Sequence, residues 1–361
     1  MPYSPIGLSK WDLDTPALLI DLDKLDRNIA EMAARCKTNG VDWRPHTKGH
    51  KNPAIAHLCV EAGAIGVTCA KLSEAEVMAA AGIDDILVAN EIVGEQKVRR
   101  LAGVQRRSSV MCAVDDPFHI HQIGKAAVEA GVSVRVLVDV NTGMNRCGVL
   151  PGAPAADLAE LAESTDGVTF AGIMGYEGHA MKMPDDEKQA EVERGAGLLR
   201  ETIEDIQSRG IKVGIVSAGG TGTLSFTPQQ EGVTEIQAGG GVLMDTVYRD
   251  VLNVPDLECA LALIVTVISH ATPERAIIDA GRKTMHPAVE FIDQKDIEMG
   301  GLSAEHGNLL VGPTADLKVG QKLELTSGYG DDTIFLHNQV YGIRNDRVEV
   351  VWDILGRGKL H

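Results

Sequence analysis

Ser133-Val134-Arg135-Val136-Leu137-Val138-Asp139-Val140 is a short β-branched run of the kind that forms a strand. Similar runs lie upstream near residues 109–114, 85–90 (Asp85-Ile86-Leu87-Val88-Ala89-Asn90), 65–70 (Ile65-Gly66-Val67-Thr68-Cys69-Ala70) and 42–47, and downstream near 168–175, 212–218 and 234–238. Together they make eight. Between them the periodicity turns helical. Over 187–209, Val192, Ala196, Leu199, Ile203 and Ile206 mark one face, and Gly210 follows as a C-cap. Another helix opens on Ser73-Glu74-Ala75-Glu76, read as a capping box, and ends at Gly82. Eight strands alternating with helices over about 200 residues predict a closed (β/α)8 TIM-type barrel, with reactive groups where strands end and loops begin. An open doubly wound sheet is the alternative.

After about residue 256 the pattern changes. Ala260–Val267, Ala276–Ala280 and Arg347–Trp352 are apolar runs separated by Gly- and Pro-containing turns, which predicts a smaller β-rich domain. The expected division is 1–256 for the barrel and 257–361 for the second domain. The early run Pro16–Asp21 is a candidate member of the second sheet, and a helix follows it with Leu25, Ile29, Met32, Ala33 and Cys36 on one face.

Composition agrees with a globular α/β chain: of 361 residues, 44% are hydrophobic, 24% charged and only 4% aromatic. With 34 basic against 51 acidic residues the formal charge is −17, which repels polyanions and argues against nucleic acid as a partner. Cys36, Cys59, Cys69, Cys112, Cys147 and Cys259 are scattered without a C-x-x-C pair and read as free thiols. The first residues carry no basic stretch followed by an apolar run, and no segment reaches roughly 18 consecutive apolar residues. A cytoplasmic protein without a membrane partner is expected.

The strand ends carry the candidate chemistry. Pro45-His46-Thr47-Lys48 puts an amine just past the first strand, where it can form an imine with a carbonyl, or be one more solvated lysine. Arg146 follows the fifth strand, and its permanent charge suits a phenolate or carboxylate, or else a helix acid. Tyr176 and His179 end the sixth, where a tyrosine serves equally well in core packing. Ser217-Ala218-Gly219-Gly220-Thr221 and Gln237-Ala238-Gly239-Gly240-Gly241 follow the seventh and eighth strands. Barrels often hold phosphate there, on backbone N–H groups that glycine leaves accessible, although glycines also simply make tight turns.

Lysine in Pro-His-x-Lys, arginine in Gly-Met-x-Arg-x-Gly, Gly-Tyr-x-Gly-His, Ser-x-Gly-Gly-Thr, Thr234-Glu235-Ile236-Gln237 before glycines, and Glu305-His306-Gly307 resemble the D-threonine aldolase and D-serine dehydratase group of pyridoxal 5′-phosphate enzymes. The likeness spans nearly the whole chain. It implies the alanine racemase-like fold, a homodimer and a small amino-acid substrate. Lys48 would bear the cofactor, Arg146 would face its phenolate side and Tyr176 would line its ring. Gly219, Gly220, Thr221, Gly240 and Gly241 would hold its phosphate.

The resemblance implies a lyase that splits a β-hydroxy-D-amino acid, of the D-threonine or 3-hydroxy-D-aspartate type, into glycine and an aldehyde. A dehydratase or racemase on the same scaffold is the alternative, with a non-catalytic cofactor carrier behind it. In that group a His-x-Asp or His-x-Cys pair holds a divalent metal, such as Mg or Mn, that polarises the hydroxyl. Here the corresponding segment is Ser327-Gly328-Tyr329-Gly330-Asp331-Asp332: Asp331 matches as a ligand, and Tyr329 stands where the histidine would be. The metal is thereby weakened, shifted to Asp331 and Asp332, or absent, and Tyr329 is a candidate acid or base. His179 and His306 are the histidines that remain as a base or a ligand.

Overall fold

Ala17–Asp21 forms strand β1, which pairs antiparallel with Leu261–Ile264 and parallel with Tyr341–Ile343. The early apolar run therefore belongs to the second sheet. The computed structural model describes residues 4–361 in two compact units. One holds the chain up to Glu31 with 49–54 and 240–358, and the other 32–48, 55–239 and 359–361.

The latter unit is the barrel. Its strands are β2 (Asp42–Trp43), β3 (Val67–Cys69), β4 (Asp85–Glu91), β5 (Ser109–Val114), β6 (Val134–Asp139), β7 (Val168–Met174), β8 (Ile215–Ala218) and β9 (Glu235–Ile236). All neighbours are parallel, in the order β2-β9-β8-β7-β6-β5-β4-β3. A parallel bridge between His46 and Thr68 closes the ring, supported by Ile65 N–H donating to Trp43 O and Thr68 N–H to Pro45 O, both 2.9 Å. The eight runs read from sequence are these eight strands. Leu87, Met111, Ala113, Leu137 and Met174 fill the interior.

The helices are α1 (Leu22–Thr38), α2 (Pro53–Glu61), α3 (Leu72–Ala80), α4 (Glu95–Val104), α5 (Pro117–Ala130), α6 (Ala153–Ser164) and α7 (Asp185–Ser208). Local chemistry sets their ends. Asp116 caps α5 by accepting from Phe118 N–H at 2.8 Å, with Pro117 behind it, and Gly131 closes it at φ 67°. Gly210, at φ 77°, follows α7 as expected. The start of α3 differs from the Ser73 capping box. Lys71 is the N-cap, and Glu74 reaches back to accept from Ala70 and Lys71 N–H at 2.8 and 3.1 Å. Ser73 is taken up by the C-terminus instead, donating from its amide to His361 O at 2.9 Å. Glu76 pairs with Arg100.

The other unit continues with β10 (Leu261–Thr272), β11 (Arg275–Ile278), β12 (Glu290–Phe291), β13 (Ile297–Leu302), β14 (Gly307–Val311), β15 (Lys322–Thr326), β16 (Gln339–Arg344) and β17 (Arg347–Asp353). The sheet runs β13-β14-β11-β10-β1-β16-β17, with β15 pairing β10 and β12. Leu13, Ala17, Leu19, Ile264, Ile343 and Val348 form a core cluster on it. The division falls after Gly239 and not after residue 256. The segment from Gly240 onward bonds within this unit, through Thr246 N–H to Ser327 O (3.1 Å), Val247 N–H to Gly328 O (3.0 Å) and Ala260 N–H to Leu243 O (2.7 Å).

Candidate active site

In the barrel unit the reactive groups follow the C-terminal ends of the strands. Lys48 lies half-buried in the short turn Thr47–Gly49 beyond β2. The turn is fixed from both sides: Thr47 Oγ1 donates to Thr68 O at 3.1 Å, and His46 Nδ1 accepts from Lys48 N–H at 3.4 Å. His46 N–H also donates to Gln237 O, and a Cβ at Gly239 would stand 2.2 Å from His46 O. That close approach of two backbones requires the glycine, so Gly239 is explained by packing.

Arg146 is exposed in the loop after β6. Asn141 Oδ1 shapes this loop by accepting from Gly143 and Asn145 N–H at 3.0 and 3.2 Å. The guanidinium carbon of Arg146 is 5.7 Å from the centroid of the Tyr176 ring, a cation–π arrangement. That ring follows β7 and is clasped by glycines: a Cβ at Gly178 would lie 2.4 Å from Cε1, and one at Gly220 would lie 2.9 Å from Cε2.

The glycine loop after β8 is organised by a residue that no sequence motif marks. Buried Glu177 accepts from Thr223 Oγ1 at 2.8 Å and from the Thr227 hydroxyl, while Thr223 Oγ1 accepts from Gly220 N–H at 3.2 Å. Thr221 opens the turn Thr221–Thr223, and Gly219 takes φ 75°. An amine, a guanidinium, an aromatic face and a backbone turn with no side chain at two successive positions thus follow β2, β6, β7 and β8. These are the groups an aldehyde cofactor with a phosphate and a phenolate would use.

His179 is held by a second assembly. Its Nε2 is 2.5 Å from Glu191 Oε1, and Arg194 binds the same carboxylate through Nε at 2.9 Å while Nη2 donates to Thr142 O at 3.0 Å. Arg194 first, then His179, pull the Glu191 carboxyl down to about 2. His179 Nδ1 is buried without a hydrogen-bond partner. In the sequence Glu191 and Arg194 are only helix positions, since the 12-residue separation from His179 carries no motif.

Beside Arg146, at the ends of β4, β5 and β6, is an acidic group that composition alone could not localise. Glu91, Asp115 and Cys147 offer ligand atoms within 4.8 Å of one another. Burial and the neighbouring Glu91 hold the Asp139 carboxyl well above the usual carboxylate range, against the pull of Arg146.

The remaining candidates lie in the other unit. A Cβ at Gly240 would stand 2.6 Å from Tyr248 Oη, so the glycine after β9 makes room for this phenol, and Gly241 follows it in the turn Gly240–Val242. Tyr329 precedes a short helix, α8 (Gly330–Thr333), and its Oη donates to Asp331 Oδ2 at 3.4 Å. Its ring is 6.2 Å from Tyr248 and 6.1 Å from His286 by centroids. Asp245 accepts from Gly330 N–H at 2.7 Å and from Tyr248 N–H at 2.9 Å, and burial pushes its carboxyl up to about 6. Asp332 is exposed on α8, and His306 is exposed in the turn before β14. Among the described residues the group of three able to hold a metal is Glu91, Asp115 and Cys147, and Asp331 belongs to no such group.

A parallel barrel with a lysine past its first strand, joined to a β-rich unit that takes back the N-terminal strand, defines the alanine racemase class. The chain belongs to that family: residues 20–247 match the alanine racemase N-terminal domain, and residues 260–343 match a serine dehydratase domain. Within it, the chain is 32% identical to the 3-hydroxy-D-aspartate aldolase of Paracoccus denitrificans (strain Pd 1222), across 98% of this chain and 94% of that one. It superposes on the crystal structure of D-threonine aldolase from Filomicrobium marinum with a TM-score of 0.96 at 34% identity, covering 99% of this chain and 100% of that one. The D-threo-3-hydroxyaspartate dehydratase of Delftia sp. (strain HT23) is 33% identical over 76% of this chain and 73% of its own. Pyridoxal phosphate fits this family as the cofactor. No helix of the described residues is long and apolar enough to cross a membrane.

Proposed function

We propose that the protein is a pyridoxal-phosphate lyase that cleaves the Cα–Cβ bond of a β-hydroxy-D-amino acid of the D-threonine or 3-hydroxy-D-aspartate type, giving glycine and an aldehyde. The carrying observation is the set Lys48, Arg146, Tyr176 and Gly219–Thr221 following four strands of one parallel barrel, in a chain similar to two aldolases over nearly its full length. When bound, the cofactor supplies the electron sink that lets a bond at the α-carbon break.

The chain's residues do the rest. Lys48 holds the cofactor by its ε-amine, and Arg146, stacked on Tyr176, neutralises the phenolate side. Tyr176 lines the ring, while Gly219, Gly220, Thr221, Gly240 and Gly241 hold the phosphate. His179, oriented by Glu191, accepts or returns a proton at Nδ1, because a carboxylate on Nε2 favours the tautomer with its free lone pair on the other nitrogen. A homodimer follows from the family resemblance. The six cysteines form no disulfide among the described residues, which suits a reducing compartment such as the cytoplasm.

A second reading, a dehydratase, is favoured by the serine dehydratase match over residues 260–343. One assay separates the two. Protein loaded with pyridoxal phosphate is expected to show a visible band that borohydride removes and that Lys48→Ala lacks. Incubated with D-threonine or 3-hydroxy-D-aspartate, it is expected to release glycine. Release of a 2-oxo acid with ammonia supports the dehydratase, and a colourless protein after cofactor addition overturns both.

A further inference from the structure

We propose that Glu91, Asp115 and Cys147 bind one thiophilic divalent cation, Zn²⁺, which ties the loop carrying Arg146 to the ends of β4 and β5. All three belong to the barrel unit, and none of them has a role in the lyase reading above.

Three strand ends deliver the ligands. The pairing of β4 with β5 shifts register between Val88 and Glu91, a bulge of the kind that re-aims a side chain. Asp115 follows β5, and its Oδ2 accepts from Gly148 N–H at 2.9 Å. The loop after β6 is closed at its base by a bridge between Val140 and Val149, with Asn141 N–H donating to Val149 O and Val149 N–H to Asp139 O, both at 2.9 Å. It turns back at Gly148, whose φ is 101° and where a Cβ would stand 2.7 Å from Asn141 N. Cys147 is thereby held beside two carboxylates, with the ligand atoms of all three within 4.8 Å of one another.

Solvent does not satisfy these carboxylates. Glu91 Oε1 is buried without a hydrogen-bond partner. Asp139, 6% exposed, meets the Glu91 carboxylate at hydrogen-bonding distance, and among the described residues no N–H or hydroxyl donates to it. Two carboxylates in contact require a proton or a cation beside them. With Glu91, Asp115 and Asp139 ionised, three negative charges face the one positive charge of Arg146, and a divalent ion cancels the remainder. His119 brings no charge, since its Nδ1 accepts from Asp115 N–H at 3.4 Å.

The thiol selects the ion. Mg²⁺, Ca²⁺ and Mn²⁺ suit oxygen ligands, whereas Zn²⁺ takes sulfur at about 2.3 Å and carboxylate oxygen at about 2.0–2.2 Å, with water in an open fourth position. Binding displaces the thiol proton to solvent. Arg146 directly precedes Cys147, so the ion also fixes the guanidinium that stacks on Tyr176.

The test uses the full-length, cofactor-loaded protein, dialysed against a chelator and then against Zn²⁺. The parent is expected to hold about one equivalent of zinc per chain that Cys147→Ser and Glu91→Gln both lack, with the visible cofactor band kept in all three. Zinc-edge X-ray absorption of the parent is expected to show sulfur at about 2.3 Å beside oxygen. Trypsin cleavage after Arg146, followed by mass, is expected to slow about ten-fold at Zn²⁺ about ten times above its Kd, and not to change in Cys147→Ser. Equal zinc content in the parent and Cys147→Ser, or zinc without a sulfur ligand, overturns the inference and leaves Glu91 and Asp139 sharing a proton instead. Cleavage after Arg146 that ignores zinc in the parent overturns the tie to the Arg146 loop.

Discussion

Arg44 lies inside the barrel with its Nε 3.0 Å from both carboxylate oxygens of Glu235, and its Nη1 reaches Asp85 at 2.9 Å. Asp85 opens β4 and also takes Arg135 Nη2 at 2.7 Å, so the four side chains form one network, with Asp85, Glu235 and Arg135 at the starts of β4, β9 and β6 and Arg44 just past the two-residue β2. Arg44 and Glu235 are only 1% and 2% exposed, which removes solvent as an alternative partner. Arg44→Met leaves Glu235 buried and uncompensated, and is expected to cost about 3–5 kcal/mol. Arg44→Met with Glu235→Met together should recover part of that loss. Thermal unfolding of the single and double variants checks this, and a single variant as stable as the parent would refute the burial argument.

Gly220 and Gly197 make a contrast in what glycine is for. A Cβ at Gly220 would meet the Tyr176 ring at 2.9 Å, so Gly220→Ala must displace the ring that carries Arg146. The expected result is about a ten-fold weaker hold on pyridoxal phosphate, roughly 1.4 kcal/mol, read by titrating the visible band. Gly197 lies inside α7, where an added Cβ meets nothing closer than Arg200 Nη2 at 3.8 Å. Gly197→Ala should leave cofactor binding alone and raise stability by about 0.5–1 kcal/mol. Equal effects of the two on binding would refute the steric account of Gly220.

The barrel is legible in the sequence because its signal is local. Each strand is a short β-branched run, each helix a periodic face, and eight repeats of both leave few folds to choose from. Lys48, Arg146, Tyr176 and the glycine loops are legible as strand ends. The residues that position them are not, because their partners are distant in sequence: Glu177 meets Thr223 across 46 residues, and Arg194 meets Thr142 across 52. Ser73 illustrates the same limit at a helix start, since its surroundings have the composition of a cap and its real partner is His361. The break after Gly239 differs from the expected one because the segment from Gly240 onward keeps the composition of a barrel loop while its hydrogen bonds go to Ser327 and Gly328.

Glu191 binds His179 Nε2 and is itself clamped by Arg194, which makes it a positioning residue in the lyase reading. Glu191→Gln keeps the shape and removes the charge that fixes the imidazole tautomer. Its kcat is expected to fall about ten-fold or more with the cofactor band and KM little changed. Loss of the band in Glu191→Gln would mean that the residue supports the fold and not the proton transfer.

His50, two residues past Lys48, is 1% exposed, and burial lowers its imidazole to about 3. Its Nδ1 accepts from Asn52 N–H at 3.1 Å, and its Nε2 is buried without a partner, so the folded chain carries it neutral. The unfolded chain protonates it near the ordinary value of 6.5. Between 6.5 and 3 the unfolded state therefore binds the extra proton, and stability falls as pH drops through that window. At pH 5, about 1.5 units into it, the loss amounts to roughly 2 kcal/mol. His50→Asn retains an acceptor for Asn52 N–H and carries no titrating group. Its unfolding free energy relative to the parent should therefore rise by about that amount when both are measured at about pH 7.5 and again at about pH 5. Parallel curves for the two proteins would show that His50 titrates alike in the folded and unfolded chain.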